Sequence, residues 1–500
     1  MVAPDDPSQT PALSPGGHGG QLLRGSLWML AARWSMRMIG LVSTLILARL
    51  LAPEDFGLVA MVMLAYGLLE TLSYAGVDLA LLRGSADTRD HYDTAWTIQI
   101  LQGLFIAAVL LAASPLIAAY FAEPRVTALI GWVALRAVID GTQNIGIVAF
   151  RKELDFAKEF RFTLYTKVAS VLLVVAAAAW LRSYWALIIG YLMASIASVV
   201  ISYTMHPFRP RLSFRRAREL WSFSQWLMIS RVGSFLNRKV DEFIVGGQAG
   251  TAAMGSYHVA SDLATLPTNE VVMPIRRAMF PTLAAMEQHP TAFREAVLES
   301  FSVVAAICLF AGVALAAAAP ELIAVILGSK WTGAVPIFRW LALFGAASAI
   351  VLVLEVPIWV SGRTGMSALQ SWVELAAITP LAWLAVVRYG VEGAAWARVA
   401  VGLAMVPLMM ALATRVVGIG FGQWFREMWR PLAAACVMGV AVERCSALEA
   451  HALLVLAIKF AVAGSVYGAA LLALWVLAGR PAGMERQALA FARAHLPRRS

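Results

Sequence analysis

Long apolar runs, each bounded by charged residues, glycine or proline, follow one another along most of the chain. Each run has about 20 residues or more, the length that an α-helix needs to cross the hydrocarbon core of a bilayer. Strands of a membrane barrel would instead alternate apolar and polar side chains over about 10 residues, and no such alternation dominates here. The pattern predicts fourteen membrane-spanning helices, centred near residues 38, 69, 107, 138, 170, 195, 233, 267, 309, 346, 377, 402, 438 and 466.

Composition supports this prediction and excludes a soluble domain. Hydrophobic residues make up 60% of the 500 positions, charged residues only 14%, and the mean hydropathy is +0.73. A globular domain has about 25% charged residues. The formal net charge of +10 does not indicate nucleic-acid binding, because the basic residues lie in short loops between the apolar runs. The sequence therefore predicts an all-α integral membrane protein.

Lysine and arginine segregate to alternate loops, which predicts the orientation in the membrane. With the N-terminus inside, the inner segments hold about 24 basic residues. The outer loops hold about six, namely Arg49, Arg125, Arg182, Lys330, Arg388 and Arg444. Both termini are thus predicted to be cytoplasmic, and the outer loops are too short for a catalytic domain.

The apolar runs and loops divide the chain into six segments. The first is a disordered cytoplasmic tail over residues 1–23, rich in proline, glycine and serine. A first lobe of six spans covers 24–208, a basic linker covers 209–218, and a second lobe of six spans covers 219–415. Two further spans occupy 416–480 and a basic cytoplasmic tail occupies 481–500, where leucine, phenylalanine and arginine together suit a helix on an anionic membrane surface.

Two arginines stand one helical turn apart in the first span, in WMLAARWSMR from Trp28 to Arg37. An arginine at the centre of a spanning helix costs roughly 2.5–3.5 kcal/mol on insertion scales. Arg33 and Arg37 are therefore expected to face protein or a water-filled space instead of lipid.

An internal repeat in the sequence predicts where in the fold the first-span arginines lie. WLMISR, from Trp226 to Arg231, matches the pattern WMLAAR from Trp28 to Arg33 at an offset of 198 residues, and the same offset places Gly57 on Gly255 and Ser26 on Ser224. An even number of spans separates the copies, so both run in the same direction, as in repeats related by an axis along the membrane normal. We expect two pseudo-symmetric lobes around a central cavity, with Arg33 and Arg231 facing each other across it.

Local charge balance separates candidate ligand-binding arginines from structural ones. Arg33 and Arg37 have no acid on their own helix, and Arg231 has none close by, so we expect these guanidinium groups to bind an anion, for which phosphate is geometrically suited. The alternative is that Arg33 and Arg231 pair with Glu70, Asp78, Asp262 or Glu270 on the second and eighth helices. By contrast, Arg136 with Asp140, and Arg238 with Asp241 and Glu242, read as self-contained structural pairs.

The same intramembrane acids are candidates for a second role. Each carboxylate within a span is able to take up a proton or a sodium ion during a transport cycle. The candidates for ion coupling are Glu70, Asp78, Asp262 and Glu270. No other cofactor and no metal site is expected.

The stretch ILARLLAPEDFGLVAM, from Ile46 to Met61, resembles the Wzx-type oligosaccharide flippases, the polysaccharide-transport branch of the multidrug/oligosaccharidyl-lipid/polysaccharide exporter superfamily. Members carry a similar L-x-R-x-L-x-P-x-x-F-G pattern after the first helix. Its physical content is a short turn in which Pro53 fixes φ, Glu54 and Asp55 favour a helix start, and Gly57 permits close packing. The likeness extends over nearly the whole chain in span count, orientation, linker and repeat.

The resemblance implies a function and a site. It implies an inner-membrane flippase that carries an undecaprenyl-diphosphate-linked oligosaccharide outward by alternating access, for O-antigen, capsule or exopolysaccharide synthesis. It further implies that cationic residues of the cavity engage the diphosphate, a role carried here to Arg33 and Arg231, with Arg37 third. The expected partners are the lipid-linked oligosaccharide, membrane lipid, a polysaccharide polymerase and the chain-length machinery.

Two other functions remain open from the sequence. A drug or cation antiporter of the same superfamily would share the fold, although it would favour an acidic, aromatic-lined pocket. A membrane glycosyltransferase or polymerase is the other alternative, but the chain has no Asp-x-Asp, G-x-x-x-x-G-K-[ST] or G-x-S-x-G motif. The favoured prediction is a transporter that is not an enzyme.

Overall fold

A computed structural model of the chain describes residues 35–74, 76–82, 88–153, 155–217, 225–447 and 450–480, and all regular structure within these ranges is helical. The first half contains α1 (35–50), α2 (Pro53–Ser73), α3 (Val77–Leu82), α4 (Arg89–Tyr120), α5 (Arg125–Gly141), α6 (Val148–Lys152), α7 (Phe156–Leu181) and α8 (Tyr184–Met205). The second half contains α9 (Gln225–Ala264), a π-helical segment (Thr268–Val272), α10 (Met273–Met286), α11 (Pro290–Ala317), α12 (Ala319–Ile326), α13 (Ala334–Val360), α14 (Thr364–Tyr389), α15 (Val391–Val417), α16 (Phe421–Arg444) and α17 (Ala452–Leu477).

The predicted all-α membrane architecture is confirmed. In the described part of the chain, nine helices are long and apolar enough to cross a membrane, and a tenth span results if the bent pair Arg125–Gly141 and Ile145–Lys152 counts as one. All fourteen predicted centres fall on helical residues. The count of fourteen spans stays a prediction, because the remaining helices are shorter, more polar or partly outside the described ranges.

The helices pack mainly with others of the same half of the chain. In the first half, α7 packs along α8 and α4 along α5, while α5 also contacts α8. In the second half, α13 is central and contacts α11, α15 and α9. The last two helices, α16 and α17, pack on each other and on α11. The two halves meet mainly where α2 lies against α9.

Two glycines make the closest contact between the halves. A Cβ added to Gly57 would lie 1.8 Å from the carbonyl oxygen of Thr251, and one added to Gly255 would lie 1.8 Å from that of Pro53. The backbones of α2 and α9 therefore touch with no side chain between them, as small residues allow in membrane helices. The contact is reciprocal and joins the two positions that the 198-residue offset pairs.

Other contacts close the same end of the bundle, which we call the closed end and define by Ala48, Gly57, Gly255 and Trp331. The buried indole of Trp331 donates a hydrogen bond to the carbonyl of Ala48 at 2.9 Å, and its ring meets Phe56 edge-on at 5.2 Å. Arg49 donates to the carbonyl of Val325 at 2.9 Å. Each of these contacts links the end of α1 or the start of α2 to the second half.

The turn between α1 and α2 is built as its sequence predicts. Pro53 occupies the first turn of α2, and Glu54 and Asp55 follow it. One carboxylate oxygen of Asp55 accepts from the backbone N–H of Ala52 at 2.9 Å, and the other accepts from that of Tyr184 at 2.8 Å. Asp55 thus satisfies backbone donors of two helices, because first-turn N–H groups lack partners within their helix.

The second half bends sharply at Gly250. Its φ of 79° and ψ of 176° break α9 into two arms, a conformation that favours glycine. Two hydrogen bonds tie the arms together: Tyr257 donates to Asp241 at 2.6 Å, and His258 Nδ1 lies 3.0 Å from Glu242.

The two acids of α9 have ion-pair partners other than the predicted one. Asp241 pairs with Arg398 at 3.5 Å and Glu242 pairs with Lys239, so the predicted pairing of both acids with Arg238 is wrong. The i,i+3 spacing on α9 indicated Arg238 as the partner of Asp241, but the partner is Arg398 on α15.

The basic linker lies against the first half where it is described. The backbone N–H of Arg211 donates to Asp93 at 2.8 Å, and that of Ser213 donates to Thr97 at 2.9 Å. The amide of Asn144 donates to the carbonyl of Phe208 at 2.9 Å. Asp93, Thr97 and Asn144 are buried polar side chains, and the linker backbone satisfies them.

We expect Gly57→Ala to destabilise the protein. The added methyl group overlaps backbone atoms, which cannot rotate away, so α2 and α9 must separate at a cost of at least about 1–3 kcal/mol. The measurement is the midpoint of thermal unfolding of the detergent-purified protein. Gly131→Ala in α5 is the matched control, since a Cβ there meets nothing within 4 Å. An unfolding midpoint of Gly57→Ala equal to that of wild type would contradict the backbone contact.

Candidate functional site

A cavity of about 570 Å³ lies where α1, α5, α7 and α8 of the first half meet the π-helical segment of the second half. Its size falls within the range of pockets for small ligands. Glu270 is the residue that the second half contributes to its lining. The cavity is therefore an inter-half site with most of its wall on the first half.

Three cations line this cavity. Arg37 on α1 pairs with Glu270, with 3.6 Å between Nε and Oε1, and Arg136 on α5 pairs with Asp140 at 3.2 Å. Lys167 on α7 is exposed to the cavity, and within the described residues no carboxylate pairs with its ammonium group. Three cations against two carboxylates leave one formal positive charge in excess, which favours an anionic ligand.

Aromatic rings hold Arg136 in place. Its guanidinium carbon lies 5.4 Å from the ring centroid of Tyr66 on α2 and 5.7 Å from that of Tyr191 on α8. A guanidinium stacked on rings keeps its N–H edges available for hydrogen bonds in the ring plane. The predicted Arg136–Asp140 ion pair is present, and it lies in the cavity wall, in addition to any structural role.

The predicted anion-binding arginines lie in different places. Arg33 is outside the described residues. Arg37 lines the cavity. Arg231 is exposed near the start of α9, with its guanidinium carbon 3.6 Å from the ring centroid of Tyr74 at the end of α2, and it is not in the cavity lining. The Arg231–Tyr74 contact joins the two halves at the end of the bundle opposite the closed end.

The predicted ion-coupling carboxylates also separate. Glu270 lies in the cavity and pairs with Arg37, so the partner of this arginine comes from another helix. Asp262 is exposed, with one carboxylate oxygen 4.0 Å from Nε2 of His258. Glu70 is exposed on α2 and does not line the cavity. The side chain of Asp78 is outside the described part of the chain.

Buried charges of the second half are paired among themselves. Arg276 on α10 lies 2.7 Å from Glu355 on α13 and stacks over Trp359 at 4.7 Å. Arg398 on α15 contacts Asp241 and donates to the carbonyl of Asn237 at 2.6 Å. A buried charge requires such a partner. The excess positive charge of the cavity therefore comes from the first half.

Sequence reasoning missed Lys167. The signal was present, because a single lysine interrupts the apolar run of α7 and shares one helical face with Thr163 and Ser170. A polar stripe of this kind in a membrane helix indicates a face turned toward protein or water. The paired arginines of the first and seventh spans are the more conspicuous feature of the sequence.

Comparison with known proteins now places the chain in a family. Residues 46–336 match the family model described as polysaccharide biosynthesis protein, which is more than half of the chain. The chain belongs to this family. The predicted kinship with Wzx-type polysaccharide transport proteins is confirmed.

Curated relatives carry related names at low identity. The lipopolysaccharide biosynthesis protein WzxC of Escherichia coli is 23% identical over 332 residues, covering 66% of this chain and 68% of WzxC. The teichuronic acid biosynthesis protein TuaB of Bacillus subtilis is 21% identical over 371 residues, covering 73% of this chain and 76% of TuaB. The succinoglycan biosynthesis transport protein ExoT of Rhizobium meliloti is 22% identical, covering 63% of this chain and 64% of ExoT.

Solved structures show the same fold. The lipid II flippase MurJ in an inward closed conformation superimposes with a TM-score of 0.72 at 14% identity, covering 89% of this chain and 98% of MurJ. An inward-facing multidrug transporter of the MATE family gives a TM-score of 0.60 at 14% identity, covering 78% of this chain and 98% of the transporter. At these identities, the likeness establishes the fold alone.

We expect the cavity to be wet, and thiol labelling tests this. In a chain without its three native cysteines, Lys167→Cys should react readily with a membrane-impermeant methanethiosulfonate. Leu172→Cys on the same helix is the control, because Leu172 is 64% exposed on an apolar surface suited to lipid and should react slowly. Mass spectrometry of the labelled protein gives both rates, and equal slow labelling at the two positions would contradict a hydrated cavity.

Proposed function

We propose that the protein is a flippase that carries a diphosphate-linked, prenyl-anchored oligosaccharide across the inner membrane for surface polysaccharide synthesis. The observation that carries this proposal is the cavity between the halves, where Lys167 has no carboxylate partner among the described residues and Arg37 and Arg136 stand nearby. A diphosphate carries at least two negative charges and accepts hydrogen bonds from both ammonium and guanidinium groups. The family relationship supports the same substrate class.

The Arg37–Glu270 ion pair gives substrate binding a way to act on the conformation. Arg37 belongs to the first half and Glu270 to the second, so their ion pair joins the halves across the cavity. A diphosphate competes with Glu270 for the guanidinium and weakens this link. A ligand shifts a conformational equilibrium only through different affinities for its states, and this competition supplies such a difference.

We propose that transport proceeds by alternating access of the two halves. The closed end is sealed by the Gly57–Gly255 contact and by the Trp331–Ala48 hydrogen bond, so the head group enters from the opposite end. The prenyl chain stays in lipid while the head group occupies the cavity. Separation of the halves at the closed end releases the head group outward, and an outward-directed anion gains about 2.3 kcal/mol per charge per 100 mV of membrane potential.

The drug or cation antiporter remains the second candidate, and the charge of the cavity disfavours it. An organic cation needs a net negative or aromatic pocket, and here the excess charge is positive.

We further propose that both termini are cytoplasmic, that the protein acts without catalysis, and that polymerase and chain-length proteins are its partners. Coupling to H⁺ or Na⁺ through Glu270, Asp262, Glu70 or Asp78 stays a prediction.

We expect Lys167→Ala to reduce polysaccharide export roughly tenfold or more, because it removes a charge-assisted contact to the diphosphate. Lys167→Arg should retain most export, since the positive charge remains. Surface polysaccharide is measured in a deletion strain that carries each variant, with membrane protein levels checked by immunoblotting. Arg37→Ala and Arg136→Ala should behave like Lys167→Ala, as should Arg33→Ala and Arg231→Ala if the predicted arginines also contact the head group.

Arg215→Ala is the matched control for these variants. Arg215 lies in the linker, is 77% exposed and contacts Asp90 at 3.4 Å, away from the cavity. Export by this variant should equal that of wild type. Undiminished export by Lys167→Ala, Arg37→Ala and Arg136→Ala together would refute the proposed diphosphate site.

A further inference from the structure

The surface that α7 and α8 present to the cavity carries hydroxyl groups and no carboxylate, and we call it the hydroxyl floor. It consists of Thr163, Thr166 and Ser170 on α7 and Ser195 and Ser198 on α8. Their spacings of three and four residues place each set on one helical face. Lys167 lies within the α7 set, so the floor adjoins the cation proposed to bind the diphosphate.

Several of these hydroxyls offer only acceptors to the cavity. Thr163 donates its proton to the carbonyl of Glu159 at 2.9 Å, and Thr166 donates to that of Phe162 at 2.9 Å. What remains on each threonine oxygen is an acceptor lone pair. A fully ionised diphosphate has no proton to give, and a prenyl chain has none either. These acceptors therefore have no use in binding the diphosphate or the lipid.

The serines complete a mixed set of donors and acceptors. Ser198 accepts from the amide of Gln143 at 2.7 Å, which leaves its own proton as a donor. Ser170 and Ser195 have no hydrogen-bond partner among the described residues, so each offers one donor and its lone pairs. A surface of neutral donors and acceptors matches a ligand whose groups also both donate and accept. Sugar hydroxyls have this property.

We propose that the hydroxyl floor is a subsite for the sugar joined directly to the diphosphate, with Ser170 and Ser195 as its principal ligands. This rests on the proposed function, since Lys167 places the diphosphate beside the floor. Apart from Lys167, the residues that α7 and α8 contribute to the cavity lining are uncharged, which favours a neutral sugar. The prenyl chain, the diphosphate and the first sugar thus meet lipid, cations and hydroxyls in turn.

Binding of short-chain ligands tests the subsite. The full-length protein in nanodiscs is titrated by calorimetry with farnesyl diphosphate, farnesyl-diphosphate-glucose and farnesyl-diphosphate-N-acetylglucosamine. We expect at least one sugar ligand to bind roughly tenfold more tightly than farnesyl diphosphate, because two or three added neutral hydrogen bonds give a difference of this order. Ser170→Ala with Ser195→Ala should remove most of this ratio while leaving the affinity for farnesyl diphosphate unchanged.

Matched variants keep the outcomes separate. Ser465→Ala on α17 removes an exposed serine outside the cavity and should preserve the ratio. Ser195→Cys keeps the volume of the side chain and weakens its hydrogen bonds, which covers the case in which the double variant does not fold. Equal affinities for all three ligands, or a full ratio in the double variant, would overturn the sugar subsite alone. Failure of wild type to bind any of the three would overturn the diphosphate site and the subsite together.

Discussion

The contact between Gly57 and Gly255 is the constraint on which the arrangement of the two halves depends. Because neither residue has a side chain, the backbones of α2 and α9 touch. The carbonyl oxygen of Thr251 fills the space that a Cβ on Gly57 would need, and that of Pro53 fills the space that a Cβ on Gly255 would need. The two glycines lie 198 residues apart, at the offset of the predicted internal repeat. All other contacts of the closed end, including the Trp331–Ala48 hydrogen bond, are arranged around this point.

The same packing decides where charge is tolerated. In the second half, Arg276 and Arg398 are almost completely buried and each has a carboxylate partner from another helix. In the first half, the interior around Arg37 and Lys167 opens into the cavity. Low-dielectric surroundings penalise an isolated charge, so a cation without a carboxylate partner requires such a space. The second half, which packs tightly around Arg276 and Arg398, pairs each of them with a carboxylate, whereas the first half places Lys167 at a cavity.

The sequence predicted the fold well because its main determinants are local. Apolar runs give the helices, Pro53 and Asp55 give the first turn, and an offset of 198 residues finds Gly57 and Gly255 before any contact is known. Pairing of charges was harder to predict. Arg238 appeared to have partners at three and four residues, yet Asp241 pairs with Arg398, which lies far along the chain. The sequence marks Lys167 as part of a polar face of α7, but only packing shows that this face turns toward Arg37 and Arg136.

The anchoring of the linker sets a limit on how far the halves can move apart. Its backbone is hydrogen-bonded to Asp93 and Thr97 on α4, and the N–H of Arg216 donates to Thr94 on the same helix at 3.4 Å. The linker is therefore anchored to the first half up to the residue before Ala217, the last one described on this side. Helix α9 of the second half is described from Gln225. Eight residue steps connect these points, and an extended chain of that length reaches at most about 28 Å. While the anchor holds, the linker acts as a tether that bounds the width of the opening through which a head group passes.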